Sequence, residues 1–100
     1  MTAILKVLEG KQIGQVFEWE NVPEQVLSLG RFENSSFVID DPLVARRHAQ
    51  IIMQNNRTFI EDLGTHNGTF LNSQRIVEGS LQEVKSGDLI KIGNTVLEFI

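Results

Sequence analysis

The feature that most limits how this chain can fold is its punctuation. Runs of four to eight β-branched and aliphatic residues alternate with turn signals about every eight to twelve residues, and no amphipathic helical pattern lasts three turns. Such spacing predicts an all-β sandwich or barrel of short strands. The runs are Ile4–Leu8, Gly14–Trp19, Gln25–Leu29, Phe37–Ile39, Arg47–Met53, Thr58–Asp62, Thr69–Leu71, Gln74–Ile76, Leu81–Val84, Leu89–Ile92 and Thr95–Ile100. Gly10-Lys11, Asn55-Asn56, Asn72-Ser73 and Gly93-Asn94 read as turns, and Glu20–Glu24, containing Pro23, as a connector. Phe37-Val38-Ile39 reads as a strand buried on both faces, stopped by Asp40-Asp41-Pro42 because proline lacks a donor. In Ile90, Ile92, Leu97 and Phe99 the alternation predicts one shared buried face.

One hundred residues without a linker or repeat are read as one domain, residues 1–100. Zero cysteines exclude disulfides and thiolate catalysis and fit a reducing compartment. No apolar run approaches membrane-spanning length, and the first residues lack the basic start and apolar core of a signal peptide, so the expected setting is cytoplasmic with no membrane partner. A net charge of −4 argues against nucleic acid, whose binding needs many phosphate contacts. Four of the five arginines, Arg31, Arg46, Arg47 and Arg57, nevertheless fall within 27 positions, enough for a local basic patch that steers one anionic group.

Enzyme readings fail on inventory. There is no phosphate loop, no dinucleotide fingerprint and no metal-ligand spacing, so no cofactor or metal is expected. A triad of Ser35 or Ser36 with His48 and Asp62 lacks a nucleophile turn, and the pairs Asp40-Asp41 and Glu61-Asp62 sit at strand ends, where neighbours point to opposite faces. An anion-reading surface fits better. Arg31 follows Gly30 at a strand end, where its guanidinium fork could match two phosphate oxygens or pair with Glu33 or Asp40. Arg46-Arg47-His48 is read as opening a strand, its arginines alternating in face, with His48 tying down the loop before it. Gly64-Thr65-His66-Asn67-Gly68-Thr69 joins two flexible backbone positions to an asparagine that both donates and accepts.

Taken together, Leu29-Gly30-Arg31, Val38-Ile39-Asp40-Asp41-Pro42, Val44-Ala45-Arg46-Arg47-His48-Ala49, Glu61-Asp62-Leu63-Gly64 and Asn67-Gly68-Thr69-Phe70-Leu71-Asn72 resemble the forkhead-associated (FHA) domain family in order and spacing. The resemblance implies a β-sandwich of short, mostly antiparallel strands with ligand-binding loops at one end, recognising phosphothreonine peptides. Arg31 then matches the phosphate-binding arginine and Asn67 the asparagine that holds the ligand's main chain. Arg46 follows the position of the phosphate-binding serine, and Thr65 and His66 belong to the same ligand loop. Gly30, Ala45, His48 and Gly68 match positions that shape the site.

Two positions depart from the family pattern. Ala45 stands where the family places a serine whose hydroxyl bonds the phosphate, and His66 stands where it commonly has a threonine. A hydrogen bond to a charged group contributes roughly 1.5–3 kcal/mol, so the lost hydroxyl is worth about ten- to a hundredfold in affinity. The amide of Ala45 is expected to remain a donor, and a protonated His66 would restore part of the loss. The resulting expectation is a non-enzymatic signalling module that binds a phosphorylated protein or peptide through a modified pocket. The alternative is a phosphate-independent module for an unphosphorylated protein partner or for itself.

Overall fold

The computed structural model describes residues 2–20, 22 and 24–100; Pro23 of the expected connector lies outside the described residues. Among the described residues, eleven strands form two sheets. Strands β1 (Thr2–Glu9), β2 (Val16–Glu20), β7 (Thr69–Leu71), β8 (Gln74–Arg75), β10 (Leu89–Ile92) and β11 (Thr95–Phe99) make a six-stranded sheet in the order β2-β1-β11-β10-β7-β8. Strands β3 (Gln25–Gly30), β4 (Phe37–Val38), β5 (Ala49–Gln54), β6 (Arg57–Asp62) and β9 (Gln82–Val84) make a five-stranded sheet in the order β4-β3-β5-β6-β9. All pairings are antiparallel except β3 with β4.

Alternation produces the core. Ala3, Leu5 and Val7 of β1, Ile90 and Ile92 of β10, and Leu97 and Phe99 of β11 are buried, while Ala49, Ile51 and Met53 of β5 and Ile60 of β6 bury the facing sheet. The expected shared face of Ile90, Ile92, Leu97 and Phe99 therefore forms, with Ile90 opposite Leu97 across the β10–β11 hairpin. Near one edge, Trp19 and Phe17 of β2 pack on Phe37 with ring centres 5.1 Å apart in each pair. The indole of Trp19 donates to Met53 Sδ at 2.9 Å, which joins the two sheets and satisfies a buried donor.

The hairpin turns follow side-chain chemistry. Asn55-Asn56 and Asn72-Ser73 take positive φ at both residues, the geometry that matches the twist of the flanking strands. Three expectations change. Phe37-Val38-Ile39 is not a strand buried on both faces: β4 is a two-residue edge strand, Val38 is 36% exposed, and Ile39 is buried beyond it with its amide on the Gly30 carbonyl. Neighbouring residues point to opposite faces, so Phe37 enters the core while Val38 faces outward. Next, β5 begins at Ala49 and not at Arg47, because its pairing with both neighbours ends there, at Leu29 of β3 and Asp62 of β6. Finally, Gly14 and Gln15 belong to the β1–β2 turn, whose Gly14 amide bonds Val7 O at 2.9 Å.

Removing a core side chain that both sheets share should leave a cavity that neither can close. Leu97→Ala is expected to lower unfolding free energy by about 2–5 kcal/mol. Urea denaturation checks this; a loss below about 1 kcal/mol would contradict the packing described.

Candidate functional site

Three loops meet at one end of the sandwich: 31–36 after β3, 39–48 before β5, and 63–68 between β6 and β7. The first two touch backbone to backbone. Arg31 N donates to Ala45 O at 3.0 Å and Phe32 N to Arg46 O at 3.2 Å. Gly30 is required by this approach, since a β-carbon there would overlap the Arg46 carbonyl.

His48 ties the second loop to the third. It is fully buried; its Nδ1 accepts the Ala45 amide at 3.0 Å and its Nε2 lies 2.8 Å from Gly68 O. An Nδ1 that accepts is unprotonated, so the ring hydrogen sits on Nε2 and donates to Gly68. Thr65 Oγ1 lies 3.4 Å from the same Nε2. No serine reaches this imidazole, which removes the Ser-His-Asp arrangement.

Two buried aspartates, each the second of an acidic pair, organise the loop backbones. Asp62 accepts the hydroxyls of Thr65 at 2.7 Å and Thr69 at 2.6 Å, and the amides of Gly64 at 3.0 Å and Thr65 at 3.1 Å. Burial pushes its carboxyl up, but the Thr69 and Thr65 hydroxyls and the two amides together hold it below the ordinary aspartate value. Asp41 accepts the amides of Leu43 and Asn94 and the Thr95 hydroxyl, which pins the second loop to the β10–β11 turn of the other sheet. Burial again raises its carboxyl, and the Leu43, Thr95 and Asn94 bonds bring it below the ordinary value.

The expected ligand residues divide into free and committed groups. Arg31 is exposed; its Nε donates to Val44 O at 3.1 Å, and its terminal nitrogens have no partner among the described residues. Neither Glu33 nor Asp40 pairs with it, and Asp40 instead meets Lys11 at 2.9 Å. Asn67 reaches the second loop through Nδ2 to Leu43 O at 2.8 Å, leaving Oδ1 free as an acceptor among the described residues. The Arg46 guanidinium lies 5.0 Å from the centre of the Phe32 ring. The side chain of His66 is exposed. The Thr65 hydroxyl is engaged inside its own loop, donating to Asp62 and accepting the Gly68 amide at 3.0 Å.

Three expectations need correction. The Ala45 amide is not available to a ligand, because His48 Nδ1 occupies it; the amides of Arg46 and Arg47 are without a partner among the described residues. Arg46-Arg47-His48 lies in the loop before β5 and does not alternate as a strand. Arg57 lies at the opposite end, beside the β5–β6 turn and 4.0 Å from Glu83, while Arg75, outside the sequence cluster, joins the site. Arg75 Nη2 donates to the carbonyls of Thr65 and His66, and its guanidinium lies where a side chain at Gly68, φ +80°, would stand. The sequence signal for Arg75 was weak: one cation on a two-residue strand.

A family model described as FHA domain matches residues 27–93, from β3 through β10. The chain belongs to the FHA domain family. It is 32% identical over 99 residues to the glycogen accumulation regulator GarA of Mycobacterium tuberculosis, covering 99% of this chain and 57% of GarA, so it spans little more than half of that curated relative. Among solved structures, the FHA domain of CT664 from Chlamydia trachomatis superposes with a TM-score of 0.86 at 27% identity, over 100% of this chain and 97% of that one. Mycobacterium tuberculosis EmbR, solved in complex with a low-affinity phosphopeptide, superposes with a TM-score of 0.83 at 26% identity, over 98% of this chain and 24% of EmbR.

The depressed carboxyls of Asp41 and Asp62 make the loop end sensitive to acid. Their contribution to stability is complete above the ordinary value near 3.8 and is lost as pH falls through the lower folded-state values. In urea melts at pH 7, 4 and 3, wild type should lose stability over the last interval and Asp62→Asn should lose less. Equal losses in both proteins would show that the Asp62 carboxylate does not supply this dependence.

Proposed function

We propose that this chain is a binding module, not an enzyme, that recognises phosphothreonine-bearing peptides or proteins through a pocket lacking one hydroxyl donor. The observation that carries the reading is the arrangement around Arg31. Its Nε is anchored on the second loop while its terminal nitrogens stay open, which pre-orients a guanidinium fork for phosphate oxygens at little entropic cost. Beside it, the unpartnered Arg46 amide and guanidinium add donors, and Asn67 Oδ1 can accept from a ligand amide. Family membership and the phosphopeptide held by the EmbR structure support the same ligand class. Nucleic acid and membrane are not partners in this reading, and a chain without cysteine suits the cytoplasm.

The pocket differs from the family pattern in what it can donate. Ala45 supplies no hydroxyl, and its amide serves His48, so phosphate binding relies on Arg31 and on Arg46 through its amide and side chain. Binding is therefore weaker than a serine at this position would give, and it depends more on long-range charge.

Isothermal titration with a phosphothreonine peptide and its unphosphorylated twin tests the reading. The phosphorylated peptide should bind, the twin should not, and Arg31→Ala should erase the difference. Ala45→Ser should tighten binding by roughly ten- to a hundredfold, the value of one hydrogen bond to a charged group. If Arg31→Ala leaves binding unchanged, the partner docks elsewhere on the sandwich without reading a phosphate.

A further inference from the structure

We propose that the surface running from Arg46 across Phe32 to Arg47 is a second anion subsite. The preferred ligand then carries another anionic group, carboxylate or phosphate, a few residues from its phosphothreonine. This rests on the phosphopeptide reading above and assigns a role to Arg47, whose side chain lies outside the contacts described for the phosphate.

The domain as a whole is acidic, with 13 Asp and Glu against nine Lys and Arg. Arg31, Arg46 and Arg47 are nonetheless exposed and without an acidic partner among the described residues. Of the nearby carboxylates, Asp40 pairs with Lys11, Asp41 and Asp62 hold loop donors, and Glu61 accepts Nε2 of Gln50, which itself borders the hollow described below, at 2.6 Å. Glu33, in the first loop, is exposed and forms no ion pair among the described residues. Three guanidinium groups without an ion-pair partner among the described residues leave this surface open to an external anionic segment.

The surface between the arginines has shape as well as charge. Phe32 is half-buried, its amide held by Arg46 O, and its ring carries the Arg46 guanidinium in a cation–π contact that orients the planar fork. Phe32, Arg46 and Arg47 line a cavity of about 390 Å³. Arg47 and Phe32 also border an adjoining cavity of about 180 Å³, where Asn34 and Ser35 offer side-chain donors without partners among the described residues and Leu63 supplies an apolar wall. A guanidinium with a hydroxyl and an amide around one small hollow is the donor set that carboxylate and phosphate oxygens take. The two subsites are close along the backbone: the Arg31 amide bonds Ala45 O, two residues before Arg47. Successive residues of an extended peptide advance roughly 3.3 Å, so anions two to four residues apart match that scale.

The test uses the chain as it stands and four fluorescein-labelled peptides read by anisotropy. One carries phosphothreonine among neutral residues, one adds glutamates two to four positions before it, one adds them after it, and one replaces them with a second phosphoresidue; each has a twin with unphosphorylated threonine. Wild type should bind at least one anion-bearing phosphopeptide about tenfold tighter than the neutral-flank peptide, and the arm that gains identifies the group and the side. Arg47→Ala should remove that gain while binding the neutral-flank phosphopeptide within about twofold of wild type, and Arg47→Lys should retain part of it. A phosphate effect with no gain from flanking anions, or a gain that survives Arg47→Ala, overturns the proposal alone. A phosphothreonine that adds nothing in any arm overturns the phosphopeptide reading and this proposal with it.

Discussion

The loop end of this domain depends on one buried imidazole. His48 accepts the Ala45 amide on one ring nitrogen and donates to Gly68 O from the other, while its own amide bonds Leu29 O and its carbonyl accepts the Leu63 amide. Four bonds from one residue join β3, the second loop and the third loop. With the Ala45 amide aimed at Nδ1, the ring hydrogen belongs on Nε2, where Gly68 O receives it. Loops that would otherwise sample many conformations are therefore held at fixed separation before any ligand arrives, which reduces the ordering cost of binding.

Charge is partitioned by depth. The carboxylates of Asp41 and Asp62 lie beneath the loops and collect amide and hydroxyl hydrogens, so they act as internal caps. The guanidinium groups of Arg31, Arg46 and Arg47 lie above, toward solvent. Arg75 crosses this division: it has no acidic partner among the described residues but bonds the carbonyls of Thr65 and His66, holding the third loop from the β7–β8 hairpin. Buried negative groups build the scaffold, and Arg31, Arg46 and Arg47 stay exposed.

The departures from the family pattern gain meaning from this arrangement. Ala45 is more than a missing hydroxyl, because its amide and its carbonyl are both used, by His48 and by Arg31 respectively. With that residue wholly occupied in holding loops together, the proposed phosphate contacts fall to Arg31 and Arg46. Thr65 behaves in the same way one loop later, its hydroxyl closing a turn over Asp62.

Much of the fold was legible because strand alternation, asparagine turns and glycine hairpins are local rules: all eleven strands fall within a few residues of the runs read from the chain. Gly30, Arg31, Asn67 and His48 were legible because they recur in a fixed order of motifs. The roles of Arg75, Asp41 and Asp62 were not: both aspartates stand in those motifs, but a lone arginine on a short strand and the second members of two acidic pairs look like surface residues until packing brings partners to them. The exclusion of Arg57 from the basic cluster has the same origin: β5 and β6 carry it to the far end, although only ten positions separate it from Arg47. Local sequence determined the strands, the turns and the supply of cations, because those follow from period and backbone preference. Which amides are occupied, which carboxylates are buried and which arginines remain unpaired depends on contacts between residues far apart in the chain, and folding alone makes those contacts.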